Sequence, residues 1–248
     1  MPVSPKDRFL TVYGHRPVLA ALADASLEVD KVLIAEGEYG PAAREIEAAA
    51  VDRSIDVQRV PAHRVKLLAG NGKHDNGVLA DVVAPRMRTL KDALDTDRPP
   101  TVLVLDGVRT PANVGMILRT ATAAGIGGIV VPHRGTASLD PLVIKASAGA
   151  AFRAPVLRCH TSAEAAQLLA GAGYRLIGFS ADAPASLFDI DLDAPVALVL
   201  GSETDGIGAD VAAQITEWAS IPMPGEVESL NVASAAAVMC FELVRRAG

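Results

Sequence analysis

Two runs, residues 102–106 (VLVLD) and 196–200 (VALVL), limit the folds open to this chain more than any other feature. Neither run alternates apolar with polar residues, so neither suits a strand with one face in water. Near-continuous apolar strands of this kind belong to parallel sheets covered by helices on both faces. The intervening sequence keeps a β-α-β rhythm. It predicts strands at 128–131, 155–157 and 174–180 and helices at 113–124, 142–148, 162–170 and 231–246, with Ser162 as the N-cap of the third helix. Residues 100–248 are therefore expected to form one open α/β domain.

The first 84 residues repeat the alternation on a smaller scale. Helices are predicted at 17–25, 41–51 and 63–69, and strands at 31–35, 55–60 and 77–83, with Pro41 at the first helical position. The stretch that follows is charged and bounded by prolines. The organisation expected is a small N-terminal α/β domain at 1–84, a linker at 85–99 and a larger domain at 100–248. With 248 residues, half of them hydrophobic, the chain is long enough for two real cores.

Several function classes are disfavoured. No apolar run reaches the roughly 18 residues of a membrane span, and the opening MPVSPKDRFL is too polar for a signal peptide, so a cytoplasmic protein without a membrane partner is expected. Cys159 and Cys240 stand far apart and outside any C-x-x-C pair, which indicates no disulfide framework and no zinc site. The net charge of -6 argues against a generally basic surface. One local stripe runs the other way. From Arg59 to His74 there are Arg59, Arg64, Lys66 and Lys73 with two histidines and no acid, which reads either as a solvated face or as a phosphate-contacting surface.

Three polar segments stand at the ends of the later strands, where open α/β sheets bind ligands. In the first, residues 105–125, Asp106 ends a strand, Asn113 starts a helix, and Arg119 sits in an otherwise apolar helix, where its charge needs either an acid such as Asp106 or Glu203 or a phosphate. The second, VLGSETDGIG at 199–208, matches neither the dinucleotide-binding nor the P-loop glycine pattern. The third, IPMPGEVESLNVASAAAV at 221–238, leads a glycine- and proline-bearing loop through Ser229 and Asn231 into a helix of small residues.

Together the sets N-x-G-x-x-x-R-T-A (from Asn113), L-G-S-E-x-x-G (from Leu200) and I-P-M-x-G-x-x-x-S-L-N-V (from Ile221) resemble the three motifs of the SpoU, or TrmH-type, RNA 2′-O-ribose methyltransferases of the SPOUT superfamily. The segments YGHRPVLAAL at 13–22 and NGKHDNGVLADV at 71–82 are similar to the small ribosomal-protein-like domain of the 23S rRNA branch. The resemblance implies a parallel sheet with a deep trefoil knot, S-adenosylmethionine as cofactor, an RNA substrate and a homodimer formed through the C-terminal domain, with an active site drawing on both subunits. It assigns Arg119, Glu203, Ser229 and Asn231 to the catalytic site and Leu200, Gly201, Ile221, Met223 and Leu230 to the cofactor. It makes Arg16, Arg59, Arg64, Lys66, Lys73 and Asn113 candidates for RNA contact, with no metal. A tRNA 2′-O-methyltransferase, an antibiotic-resistance methylase of 23S rRNA and a catalytically silent RNA-binding assembly factor are the alternative readings. Thr110, Thr204 and the pair Ala233-Ser234 depart from the usual pattern.

Arginine is effectively always protonated, which makes it a poor base. Arg119 is therefore expected to clamp the phosphate beside the target ribose, with Ser229 and Asn231 orienting the hydroxyl and Glu203 positioning either Asn231 or Arg119.

Overall fold

A computed structural model describes residues 7–69, 75–193 and 195–247. The chain divides into two compact units, Met1–Pro85 and Arg86–Gly248.

The first unit is a four-stranded sheet with helices on both faces. Its elements are β1 (Phe9–Tyr13), α1 (His15–Ala23), β2 (Val29–Ala35), α2 (Pro41–Asp52), β3 (Asp56–Val60), α3 (Ala62–Ala69) and β4 (Val78–Val83). Strand order is β1-β4-β2-β3, with β4 antiparallel to both neighbours and β2 parallel to β3. Side chains alternate across a strand. Tyr13, Leu33 and Leu79 accordingly pack with Val65 of α3, while Val12, Val32 and Ile34 are buried on the opposite face. Because β4 runs against both β1 and β2, the carboxyl ends of β1, β2 and β3 lie at one end of this sheet. β1 has no counterpart in the sequence reading; its FLTVY run is short and lies in a polar opening.

The second unit is an eight-stranded sheet, every pairing of which is parallel. It contains β5 (Arg88–Thr89), α4 (Leu90–Thr96), β6 (Thr101–Leu105), α5 (Pro111–Ala123), β7 (Gly128–Val130), α6 (Pro141–Ala146), β8 (Val156–Arg158), α7 (Ser162–Gly171), β9 (Arg175–Phe179), β10 (Ala185–Ser186), β11 (Val196–Leu200), α8 (Ala209–Ala212), β12 (Glu217–Ser220) and α9 (Val232–Ala247). The order is β10-β12-β9-β11-β6-β7-β8-β5. Val102, Val104, Ala197 and Val199 form a core with residues of α4 and α7. Leu103, Leu105 and Leu198 point the other way and are just as buried. Unbroken apolar runs are what two covered faces require.

The segment expected to be a linker is instead part of this unit. Thr89 caps α4 by accepting from the Asp92 N–H at 3.1 Å, and Leu90, Ala93 and Leu94 enter the sheet core. Charged residues on the outer face of that short helix mask a three-residue apolar stripe. Ser162 is likewise not the cap of α7. Thr161 accepts from the Glu164 N–H at 3.2 Å, and the Ser162 hydroxyl donates to Asp106 Oδ1.

Cys159 and Cys240 are buried, and burial pushes both thiols up to about 12, which leaves them inert as nucleophiles at neutral pH.

Candidate functional site

The loops leaving the carboxyl ends of β9, β11 and β12 surround a cleft of about 570 Å³. That falls within the roughly 300–1,000 Å³ of small-molecule sites. Its position follows from sheet order. After β8 the chain crosses β6 to build β9, then returns to insert β11 between them. Such reversals open a crevice at the carboxyl ends of parallel strands.

The loop after β11 folds back on itself. The Ser202 N–H donates to Gly206 O at 2.9 Å and the Gly206 N–H to Ser202 O at 3.1 Å. A Cβ on Gly201 would stand 2.3 Å from the carbonyl carbon of Gly206, and Gly206 has φ of 66°. Both glycines are needed for the turn to close. The turn is moored from below: Asp106, nearly buried at the end of β6, accepts from the Gly208 N–H at 2.7 Å as well as from Ser162.

The closed turn presents Glu203, which gathers two amides. Its Oε1 accepts from Asn113 Nδ2 at 2.9 Å and from Asn231 Nδ2 at 2.7 Å. Asn231 Nδ2 also donates to Asn113 Oδ1 at 3.2 Å. The other end of the Asn231 amide is occupied too, because Oδ1 accepts from the Ala233 N–H at 2.9 Å and so caps α9. One side chain thus starts a helix and is locked against a carboxylate. Charge-assisted bonds of this kind are the stronger sort.

Between β12 and α9 the backbone is left open. Among the described residues, no backbone hydrogen bond involves any residue from Ile221 to Leu230. Backbone groups generally find partners. A loop that contributes to the cleft through Ile221, Met223, Ser229 and Leu230 therefore offers donors and acceptors to a planar heterocycle, with Trp218 and Met223 as apolar wall. Among the described residues no basic side chain lines the cleft, and Glu203 is the one carboxylate that does. A ligand carrying positive charge suits it.

Every residue expected at the cofactor, namely Leu200, Gly201, Ile221, Met223 and Leu230, lines the cleft, as do Glu203, Ser229 and Asn231. Arg119 does not. It is exposed on α5, and Asp106 and Glu203 are each bonded elsewhere. No ion pair of Arg119 occurs among the described residues. Six residues of helix place it roughly 120° round the axis from Asn113, so the two cannot share a face. Asn113, expected at the RNA, is only 5% exposed and holds Asn231 and Glu203 instead. Gly115 serves packing, since a Cβ there would meet the Ala146 Cβ at 2.5 Å.

The cleft also includes Phe179, Ser180 and Trp218, which the sequence reading missed together with β12. The signal available was the short EWAS run before the third motif. Among the described residues no group of His, Cys, Asp or Glu could hold a metal ion.

In the first unit Arg16, Arg64 and Lys66 are exposed, and no ion pair of theirs occurs among the described residues. Lys73 lies outside those residues. Arg59 is half-buried, pairs with Glu47 at 2.9 Å, donates to Glu38 O at 2.8 Å and covers the Tyr39 ring at 4.4 Å. Its guanidinium is thus already engaged within the unit.

Comparison with known proteins adds two family matches, the SpoU rRNA Methylase family over residues 100–241 and the RNA 2′-O ribose methyltransferase substrate binding family over 11–88. The 23S rRNA (guanosine-2′-O-)-methyltransferase RlmB of Xanthomonas axonopodis pv. citri is 37% identical over 239 residues, covering 95% of this chain and 96% of the relative. Among solved structures, the SpoU methyltransferase AviRb of Streptomyces viridochromogenes with AdoMet bound is 26% identical with a TM-score of 0.64, covering 96% of this chain and 90% of that one. An AdoMet-bound rRNA methyltransferase of Sinorhizobium meliloti is 26% identical with a TM-score of 0.65, covering 96% and 88%.

Proposed function

Because the chain belongs to the SpoU rRNA methylase family, we infer that it is an RNA 2′-O-ribose methyltransferase that uses S-adenosylmethionine, and we propose 23S ribosomal RNA as its substrate. The observation that carries the chemistry is the Asn113–Glu203–Asn231 cluster at the rim of the cleft. The choice of substrate is supported by the 23S-specific name of the 37% identical relative and by the substrate-binding family match at 11–88. A ribosomal substrate points to a cytoplasmic protein, and among the described residues no helix is long and apolar enough to cross a membrane.

The cleft suits the cofactor in size and, among the described residues, in its unpaired loop backbone and its lack of cations. When bound, the cofactor supplies an electrophilic methyl on a sulfonium. The protein's part is alignment. Transfer to a ribose hydroxyl is an in-line displacement, and holding the two reactants in line accounts for several kcal/mol of barrier, on the order of 7–11 in the best cases. Ser229 and Asn231 stand on the loop that enters α9 and orient the hydroxyl. Glu203 and Asn113 keep Asn231 in one rotamer.

Arg119 works from outside this cleft, and a homodimer explains how. Met116, Leu142, Phe241 and Val244 are exposed, at 42%, 59%, 51% and 42%, on α5 and on α6 and α9, which both pack against α5. Apolar side chains grouped in this way mark an association surface. Arg119 lies one turn along α5 from Met116 and so would enter the partner's site, where it clamps the phosphate next to the target ribose. The trefoil knot belongs to the same proposal. To reach its seat on α5, α9 has to travel from β12 past β9 and β11 to the helix that follows β6.

Mapping of ribose methylation on ribosomal and transfer RNA, from cells with and without the gene, tests the assignment. Loss of one 2′-O-methyl mark in 23S rRNA is expected. Loss confined to transfer RNA overturns the substrate, and an unchanged map together with no cofactor binding in calorimetry overturns the enzyme.

A further inference from the structure

We propose that Tyr39 is a base-stacking platform in the first unit, on which an unpaired nucleobase of the RNA substrate docks. This rests on the reading of the protein as an RNA methyltransferase and adds a contact in the substrate-binding unit.

Tyr39 stands in the short loop between β2 and α2 and is 60% exposed, among the most exposed large side chains of the described residues. Its ring is nevertheless held. Arg59 lies over one face with its guanidinium carbon 4.4 Å from the ring centroid, and Arg59 is itself fixed by two bonds to Glu47 Oε1, at 2.9 and 3.3 Å, and one to Glu38 O at 2.8 Å. The Tyr39 backbone is fixed as well, since Arg44 Nε donates to its carbonyl at 3.1 Å. With one face covered and so much of the side chain in water, the opposite face is the exposed one. An aromatic ring that is rigid and half open has already lost the conformational freedom that binding would cost it.

The chemistry around the ring selects the occupant. Arg59, the cation against the ring, is already held by the Glu47 carboxylate and the Glu38 carbonyl, so the open face offers an uncharged π surface, which suits a base rather than a phosphate. Sequence-tolerant stacking on aromatic side chains is a standard mode of binding single-stranded RNA. Cations for the backbone lie a little further off at the same end of the sheet. Arg16 follows β1, Tyr39 follows β2, and Arg64 and Lys66 follow β3, and all three strands deliver their carboxyl ends to this edge. A stacking residue that shares a sheet edge with exposed cations fits a splayed strand better than a regular duplex, whose bases are not open to stacking.

The test is binding of the full-length protein to protein-free 23S ribosomal RNA, read alongside calorimetric cofactor affinity. Tyr39→Ala is expected to weaken RNA binding roughly 10-fold, in line with base stacking on aromatics. It should raise KM for the RNA and leave kcat and cofactor affinity unchanged, and Tyr39→Phe should behave as the unaltered protein. In Tyr39→Trp, saturating RNA should quench the added fluorescence relative to Trp218 alone. Tyr39→Ala binding as tightly as the unaltered protein, while both methylate the RNA, overturns the platform and leaves the methyltransferase standing. Unchanged affinity for bare RNA with lost affinity for intact ribosomal particles would assign the ring to a protein contact and also overturn it. Absence of RNA methylation by the unaltered protein strikes the underlying activity instead.

Discussion

Asn231 Nδ2 lies 2.7 Å from Glu203 Oε1, a bond between two exposed side chains carried by different loops of the sheet's carboxyl edge. The same carboxylate oxygen receives Asn113 Nδ2 at 2.9 Å. Glu203 is therefore a clasp for two amides, and of the two partners expected for it, Asn231 and Arg119, it bonds Asn231 within the chain.

The clasp makes a prediction that separates geometry from charge. Glu203→Ala removes the acceptor shared by both amides, and kcat should fall on the order of 100-fold, the scale of a misplacement of about 1 Å. Glu203→Gln keeps one carbonyl oxygen in the same place and should retain most of the activity. Steady-state methylation of 23S rRNA by the two variants decides between the roles. A Gln variant as slow as the Ala variant would mean that the negative charge matters, not the hold on Asn231.

Arg119 is exposed and without an ion pair among the described residues, so Arg119→Ala should leave unfolding stability within about 0.5 kcal/mol of the original. Turnover should collapse. If Arg119 serves the partner's cleft, mixing Arg119→Ala protein with Asn231→Ala protein should restore activity, because mixed dimers then contain one intact site. Recovery on mixing, measured after subunit exchange, checks the shared-site arrangement directly; two inactive variants that stay inactive together would place Arg119 in its own subunit's chemistry.

How much of this was legible beforehand divides along physical lines. The runs at 102–106 and 196–200 announced a parallel sheet because two-sided burial leaves no polar position in a strand. The cleft-lining backbone sites could be placed only through the family motifs. What the chain concealed were short elements whose pairing is settled by distant partners. β12 is four residues long, with Trp218 facing the cleft, and it pairs with β9 forty positions earlier. Arg59 looked like one more cation in an acid-free stretch, yet it lies on β3 and its partner Glu47 on the preceding helix α2. Asn113 was a candidate for RNA contact through the family resemblance alone, and nothing in its local sequence announced that Asn231 and Glu203 would close over it.

Gly201 should tolerate no side chain. The 2.3 Å approach of a Cβ to Gly206 backbone cannot be relieved by a rotamer change, and overpacking of this kind costs about 1–3 kcal/mol. Gly201→Ala is expected to open the Ser202–Gly206 turn and to weaken S-adenosylmethionine at least 10-fold. Calorimetry reads the affinity. Gly115→Ala is the control, since it strains the α5–α6 contact and should lower stability more than it lowers cofactor affinity.

The last prediction concerns the C-terminal helix. Glu242 is buried in α9 and accepts from Arg245 at 2.7 Å and from Arg246 at 2.7 Å. The two guanidinium groups hold its carboxyl down at about 2. Arg246 in turn donates to the carbonyls of Leu187 and Ile190, so the carboxylate orders an arginine that ties α9 to the segment after β10. A carboxyl whose pKa is lower folded than unfolded stabilises the fold above its ordinary value near 4.5, and that contribution is lost as pH falls toward about 2. Urea unfolding at a series of pH values from 7 to 3 should show stability declining below pH 4.5. Glu242→Gln should be less stable at pH 7 and show a shallower decline. A variant that keeps the full acid dependence would assign that dependence to other carboxylates and leave Glu242 as packing alone.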